Sequence, residues 1–397
     1  METMDFEIER SETATDNTVE GAKIKAIGVG GGGGNMINHM ISEDVKGIDL
    51  IVANTDAQAL DSSLAPIKLQ LGANATRGLG AGMKPEVGRE AALESFSEIK
   101  DTLAGADIVF ISAGLGGGTG TGAAPIIAQA AKEVGALTVS VVTTPFRFEG
   151  RQRQKLAKVG LEELKRESDS IIVVPNERLL SIVEKNMGVK ESFRLVDDVL
   201  CQAVSGISNV ILSHGPNDIN LDFADVKTVM SHRGLALMGS GSSQGANAAY
   251  DAAKAAIDSP LLDNVSINGA KGVLVHFHIH PDYPILQISE AMEIIEEHAD
   301  EDASVIFGTT TSSEMEIDQV KITIVATGFE SEENASAPSA QAEKAKQASD
   351  LLGSQAKASQ HHPYETMKGM RRVVGSDYSN PEDDHLDIPT FMRKQMD

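Results

Sequence analysis

Gly114-Leu115-Gly116-Gly117-Gly118-Thr119-Gly120-Thr121-Gly122 follows the apolar run Ile108 to Ala113 and leads into Ala123-Ala124-Pro125-Ile126-Ile127. The order is strand, glycine turn, helix, with Pro125 in the first turn of the expected helix. Bare backbone can approach phosphate oxygens closely, and the free amides and positive dipole end of a helix N-terminus attract their charge. The same arrangement occurs earlier in the chain. Ile24 to Val29 reads as a strand, Gly28-Val29-Gly30-Gly31-Gly32-Gly33-Gly34-Asn35 as the turn, and Met36, Ile37, Met40 and Ile41 recur at helical spacing. Taken alone, this first loop is ambiguous. Gly28, Gly30 and Gly33, with Asp49 about twenty residues on, also satisfy the dinucleotide fingerprint of a nicotinamide dehydrogenase. The second loop decides the matter, because two such loops on neighbouring strands can hold different parts of one triphosphate, with Thr119 and Thr121 adding hydroxyl donors. A Walker lysine loop is absent, which removes ordinary P-loop NTPases.

Around these loops, short β-rich runs alternate with helical stretches. Ile48 to Ala53, Leu137 to Thr143 and Ile171 to Val174 join Ile24 to Val29 and Ile108 to Ala113 as strand candidates, and the alternation predicts a parallel α/β sheet. From Ser192 to Leu212 apolar residues keep helical spacing for several turns, long enough to bridge two domains. Beyond it come a helical stretch from Phe223, strand-like Leu235 to Met238, a helix from Gln244, and strands Val273 to Ile279, Ser304 to Phe307 and Val320 to Ala326. The expected organisation is therefore an acidic tail (1–22), a nucleotide-binding α/β domain (23–191), a connecting helix (192–214), a smaller α/β domain (215–330), a flexible polar linker (331–385) and a terminal peptide (386–397). That peptide, with Asp387, Ile388, Pro389, Phe391, Met392, Arg393 and Lys394, concentrates apolar and charged groups after a long polar spacer and reads as a docking segment.

Composition sets the outer limits. A chain of 397 residues, 41% hydrophobic, can bury a large core, and with 4% aromatic residues and no Trp that core is aliphatic. The net charge of -24 argues against nonspecific binding to nucleic acid or to an anionic membrane. The lone Cys201 sits in an apolar helical pattern and reads as a buried thiol in a reducing compartment. Met1 to Glu20 carries seven acids against one base, which excludes a signal peptide, and no later run reads as membrane-spanning, so a cytosolic protein without direct membrane insertion is expected.

The run Gly116 to Gly122 matches the tubulin signature, and the chain resembles the tubulin/FtsZ GTPase family from Lys23 to about Phe329 and again in the terminal peptide. The resemblance implies a polymerisation-dependent GTPase that converts GTP to GDP with Mg2+. It further implies head-to-tail filaments that build the division ring at midcell, tethered through membrane and regulatory partners that grasp the tail. It assigns nucleotide contacts to Gly31, Gly32, Gly33, Gly34 and Asn35, to Asn54 and Asp56, to Ala81 and Gly82, and to Gly118, Thr119, Gly120 and Thr121. Glu149 and Arg153 fall at ribose and phosphate positions. Asn176 is carried over as a further contact, Phe193 stacks near the base, and Asp197 accepts guanine's paired N–H donors. Asn220, Asp222 and Asp225 match the loop that completes the site of the next subunit, where the two acids position or polarise the attacking water.

Most of these residues also have plainer readings: Asp56 as a helix cap, Glu149 with Arg153 as a helix-start charge pair, Phe193 as core, Asp222 as an N-cap. The sequence departs from the family at Thr144, where lysine is frequent, and at Ser213 to Ile219, which is longer than the usual pattern. His276, His278 and His280 alternate on a strand and read as a half-exposed face rather than as metal ligands. A nucleotide-holding filament without appreciable hydrolysis is the second rival to the GTPase reading.

Overall fold

The structure is a computed structural model that describes residues 21–180, 187–212, 218–232, 234–259, 261–262 and 269–329. The acidic tail, the longer loop at 213–217, the linker and the terminal peptide with its docking residues lie outside the described residues. The first half alternates β1 (Ile24–Val29), α1 (Gly30–Ser42), β2 (Ile48–Asn54), α2 (Ala57–Ser62), β3 (Ile67–Gln70), α3 (Ala73–Thr76), α4 (Pro85–Glu94), α5 (Phe96–Leu103), β4 (Ile108–Gly114), α6 (Thr119–Glu133), β5 (Leu137–Thr144), α7 (Arg151–Glu167), β6 (Ser170–Pro175) and α8 (Asn176–Leu179). The long helix α9 (Val189–Leu212) follows. After it come α10 (Phe223–Met230), β7 (Gly234–Gln244), α11 (Ala248–Ile257), β8 (Gly272–Ile279), α12 (Ile285–His298), β9 (Ser304–Thr311) and β10 (Gln319–Phe329).

All ten strands join one sheet in the order β3-β2-β1-β4-β5-β6-β7-β10-β8-β9. Pairing from β3 through to β7 is parallel, as the alternation demands, whereas β10 runs antiparallel to both β7 and β8. The central strands are apolar on both faces because helices cover both. On β1, Ile24 and Ala26 join Met36, Ile37 and Met40 of α1 and the apolar face of α9, while Ile27 and Val29 pack with α4, α5 and α6 on the other side. A third cluster gathers α11, α12 and the antiparallel strands.

Several expectations need correction. Helix α6 starts at Thr119, so Pro125 stands inside the helix rather than in its first turn and forgoes one backbone bond. The segment at Gln244 is not a helix start: β7 continues to Gln244, which pairs with Gln319, and α11 begins only at Ala248. Residues Lys190 to Leu212 do form a helix long and apolar enough to span a bilayer, with mean hydropathy 1.4, contrary to the expectation from the sequence. Val196, Leu200, Ala203, Val204, Ile207 and Val210 of that helix are buried against the sheet, so its hydropathy belongs to a core helix. The histidine face is not half-exposed throughout either. His276 is buried beneath α9 with its Nε2 2.9 Å from Thr310 Oγ1, and burial, reinforced by His278 and Lys321, pushes it down to about 3. Cys201 is buried as expected, and desolvation pushes its thiol up.

Candidate nucleotide site

Helix α1 carries the chain from β1 out to β2 and β3, whereas the next strand, β4, returns to the opposite side of β1. The strand order therefore reverses between β1 and β4, and ligands of open α/β sheets bind in the crevice at such a point, beyond the carboxyl ends of the strands. Both glycine loops leave the sheet there. Gly30 has φ +71, and a Cβ on it would stand 2.9 Å from Gly120 N, so the loops touch through bare backbone. Neither α1 nor α6 has an acid in its first turn, which leaves the free N–H groups and dipole of both N-termini unopposed by carboxylate charge. A third loop closes the rim: a side chain on Gly118 would overlap the Gly82 carbonyl and the Ala81 side chain.

These elements enclose a cavity of about 570 Å³, within the usual range for small-molecule sites. Of the residues expected from the sequence, Gly31, Gly32, Asn35, Asn54, Asp56, Ala81, Gly82, Gly118, Thr119, Gly120, Glu149, Arg153, Asn176, Phe193 and Asp197 line it. Three others stand behind the wall. Gly33 packs against Gly28 and the Ser112 carbonyl, Gly34 faces Val52, and the buried Thr121 hydroxyl accepts from Gly116 N at 2.8 Å, which holds the second loop in shape. A larger concavity of about 640 Å³ between α4, α6 and α7 is lined by Thr121 and Gly122 of α6 but by no residue of the first glycine loop.

The polar groups are fixed by bonds among themselves. Asp56 caps α2, accepting from Gln58 N at 2.9 Å and Ala59 N at 3.3 Å, so the plain reading of this residue holds while it also faces the cavity. Thr119 Oγ1 lies 2.6 Å from Thr55 Oγ1, a tie between loop and strand end that the sequence did not signal. Arg153 donates to Glu149 at 2.7 Å, and Glu149 also accepts from Phe146 N at 2.9 Å, so the charge pair is anchored to backbone. Phe193 meets Phe146 edge to face at 5.6 Å, with much of its ring exposed, and Asp197 follows one turn along α9 with Val196 and Leu200 beside it. Burial pushes the Asp197 carboxyl up to about 6, against the opposing pull of His39. Asn176 is buried and its Oδ1 has no hydrogen-bond partner among the described residues. An acceptor left open in a cavity wall matches a ligand that brings a donor of its own. Two helix N-termini suited to phosphates, an exposed aromatic face and unspent acceptors together form a site for a nucleotide whose base presents donors.

Asn220, Asp222 and Asp225 do not line this cavity. Asp222 occupies the N-cap position of α10 without making the side-chain cap bond, and all three residues are exposed. Asp222 thus takes the N-cap position of its plain reading, without the side-chain bond that a cap usually makes.

Residues 23–184 match the model of the Tubulin/FtsZ family GTPase domain, and residues 234–330 that of the FtsZ family C-terminal domain. The chain belongs to the FtsZ family. Among FtsZ proteins, it is 47% identical to the cell division protein FtsZ of Helicobacter pylori over 388 residues, covering 97% of this chain and 96% of that protein. It is 46% identical to the Pseudomonas aeruginosa counterpart over 400 residues, covering 96% and 99%. An FtsZ dimer, empty, from M. jannaschii superposes with TM-score 0.74 at 44% identity, covering 78% of this chain and 89% of that one. CetZ2 from Haloferax volcanii shares the fold at TM-score 0.67 and 22% identity. As an FtsZ-family member the chain is a GTPase with a tubulin-like nucleotide domain, and the dehydrogenase and non-hydrolysing rivals fall away.

Proposed function

We propose that this chain hydrolyses GTP at a site divided between two copies of itself. One copy holds the nucleotide: the loops after β1 and β4 receive the phosphates, Glu149 and Arg153 the ribose and adjoining phosphate, and Phe193, Asn176 and Asp197 the guanine. The next copy supplies Asp222 and Asp225. The observation that carries this reading is the placement of these acids, exposed and off the cavity wall, with the Asp222 carboxylate unspent on its own helix. Three apart at a helix start, they can face one direction and orient or polarise a water. Mg2+ would be held by the oxygens of the triphosphate, which it prefers, and would offset developing charge there.

A contact that joins the nucleotide face of one copy to the α10 face of the next is head-to-tail and does not close on itself unless its rotation makes a ring, so it propagates into a filament. The FtsZ dimer among the solved relatives supports self-association. In this reading the functional cuts fall at 23–191, 192–214 and 215–330. The filaments form the cytoplasmic division ring at midcell, and membrane-tethering and regulatory partners bind Asp387 to Lys394 while the acidic surface keeps nucleic acid away. Asp222→Ala tests the division directly. It should bind GTP as the parent does and lose turnover by at least 100-fold at any protein concentration, whereas a fully active variant overturns the reading.

A further inference from the structure

Thr55 follows the last residue of β2, and its side chain is 0% exposed. Among the described residues its hydroxyl meets one partner, Thr119 Oγ1 at 2.6 Å, and either oxygen can be the donor. Thr119 is the first residue of α6 and stands where the two glycine loops meet: a Cβ on Gly30 would lie 3.3 Å from Thr119 Cβ. Thr119 lines the nucleotide cavity, whereas Thr55 does not. The Thr55 backbone is fastened to the third loop and to the helix before it, its carbonyl accepting from Gly80 N and from Thr76 Oγ1, each at 3.2 Å. One hydroxyl is therefore fixed behind the wall, and the other is within a ligand's reach.

We propose that Thr55 is a positioning residue for phosphate binding: it donates its hydroxyl proton to Thr119 Oγ1, which leaves the Thr119 proton aimed at a phosphate oxygen of the nucleotide. This rests on the reading that Thr119 receives a phosphate. A hydroxyl has one proton and two lone pairs, whereas ionised phosphate oxygens only accept. Were Thr119 to donate backward to Thr55, only its lone pairs would face the phosphate, and the two would repel. With Thr55 as donor, both hydroxyls are satisfied: Thr119 spends a lone pair on Thr55 and its proton on the ligand. Hydrogen bonds in series also polarise one another, so accepting from Thr55 makes Thr119 the stronger donor. Thr55 thus acts through Thr119 and touches no ligand itself.

The test is a double-mutant cycle on the full chain, with the affinity for a non-hydrolysable GTP analogue and Mg2+ measured by calorimetry at concentrations that show no light scattering. Thr119→Val loses a bond to a charged group and should weaken binding roughly tenfold or more. Thr55→Val leaves the Thr119 hydroxyl in place but free to rotate, and should weaken binding roughly three- to tenfold. Thr55→Ser keeps the donor and should bind as the parent does. In the Thr119→Val background, Thr55→Val should add no further loss, because the hydroxyl it orients is gone. Urea unfolding identifies the folded variants, and Thr55→Ala supplies the same readings if the valine variant does not fold. Parental affinity in Thr55→Val beside a weakened Thr119→Val overturns the proposal. So does a loss from Thr55→Val by the same factor in both backgrounds, or a Thr55→Ser variant as weak as Thr55→Val. If instead Thr119→Val itself binds as the parent does, the underlying assignment of Thr119 to a phosphate fails.

Discussion

Replacing Asp197 with asparagine sets two effects of opposite sign against each other. In the nucleotide-free chain the carboxyl is raised from 3.8 to about 6, chiefly by burial, so its ionised form is disfavoured by the fold at neutral pH. A rise of that size corresponds to a ceiling of ~3 kcal/mol. The side chain is only part-buried, and solvent screening reduces the penalty to about 1–2 kcal/mol. Because the folded value lies above the unfolded one, this group favours folding most below 3.8 and loses that contribution as the pH rises through 6. Asp197→Asn has no charge to desolvate, so the nucleotide-free variant should be more stable than the parent by about 1–2 kcal/mol at pH 7.5, and the difference should narrow as the pH falls. GTP binding should move the other way. The amide keeps one acceptor but aims a donor at guanine's own donors, costing at least one charge-assisted bond of ~1.5–3 kcal/mol, or roughly tenfold to more than a hundredfold in affinity. XTP, whose base carries a carbonyl in place of the amino group, should bind the variant better than GTP. Urea unfolding of nucleotide-free protein and calorimetric titration measure the two effects. A variant that is less stable at neutral pH, or that binds GTP as the parent does, refutes the reasoning.

Two further substitutions probe the phosphate end. Gly118→Val forces a branched side chain into the Gly82 carbonyl and the Ala81 side chain, so the second and third loops must part. We expect a loss of about 1–3 kcal/mol in thermal or urea unfolding and GDP binding weakened at least 100-fold, and near-parental affinity would count against the loop contact. Arg153→Ala removes a half-exposed ion pair whose Glu149 partner keeps its bond to Phe146 N, so stability should change by less than ~1 kcal/mol while GTP affinity drops roughly tenfold. The opposite ranking in calorimetry and unfolding would make the pair structural.

The phosphate loops were legible because their chemistry is local: glycines after an apolar run and before a helical one specify strand, bare turn and helix N-terminus without help from the rest of the chain. The centre of the sheet was legible for a related reason, since strands buried on both faces hold near-continuous apolar runs, such as Ile108-Val109-Phe110-Ile111 of β4. What failed depends on distant partners. β3, with Leu69 as its single buried residue, is an edge strand too short to show a pattern, and the serine- and glycine-rich end of β7 is held extended by its pairing with β10 and by α11, which packs on Gly239 and Gly241. His276 looked half-exposed because the strand's alternation does not reveal that α9 lies across it. In the site, Asp56, Glu149 and Arg153 have local roles and cavity positions at once, which spacing alone cannot separate. The tie between Thr55 and Thr119 joins positions far apart in the chain.

The division of the active site between copies is the claim on which the functional account turns, and phosphate release over a protein dilution series, with light scattering recorded on the same samples, tests it most directly. With saturating GTP and Mg2+, turnover per chain should be nearly nil in the dilute, non-scattering samples, rise steeply where scattering begins, and stay low with ATP throughout. Equal turnover per chain in fully dissociated and assembled samples would contradict it.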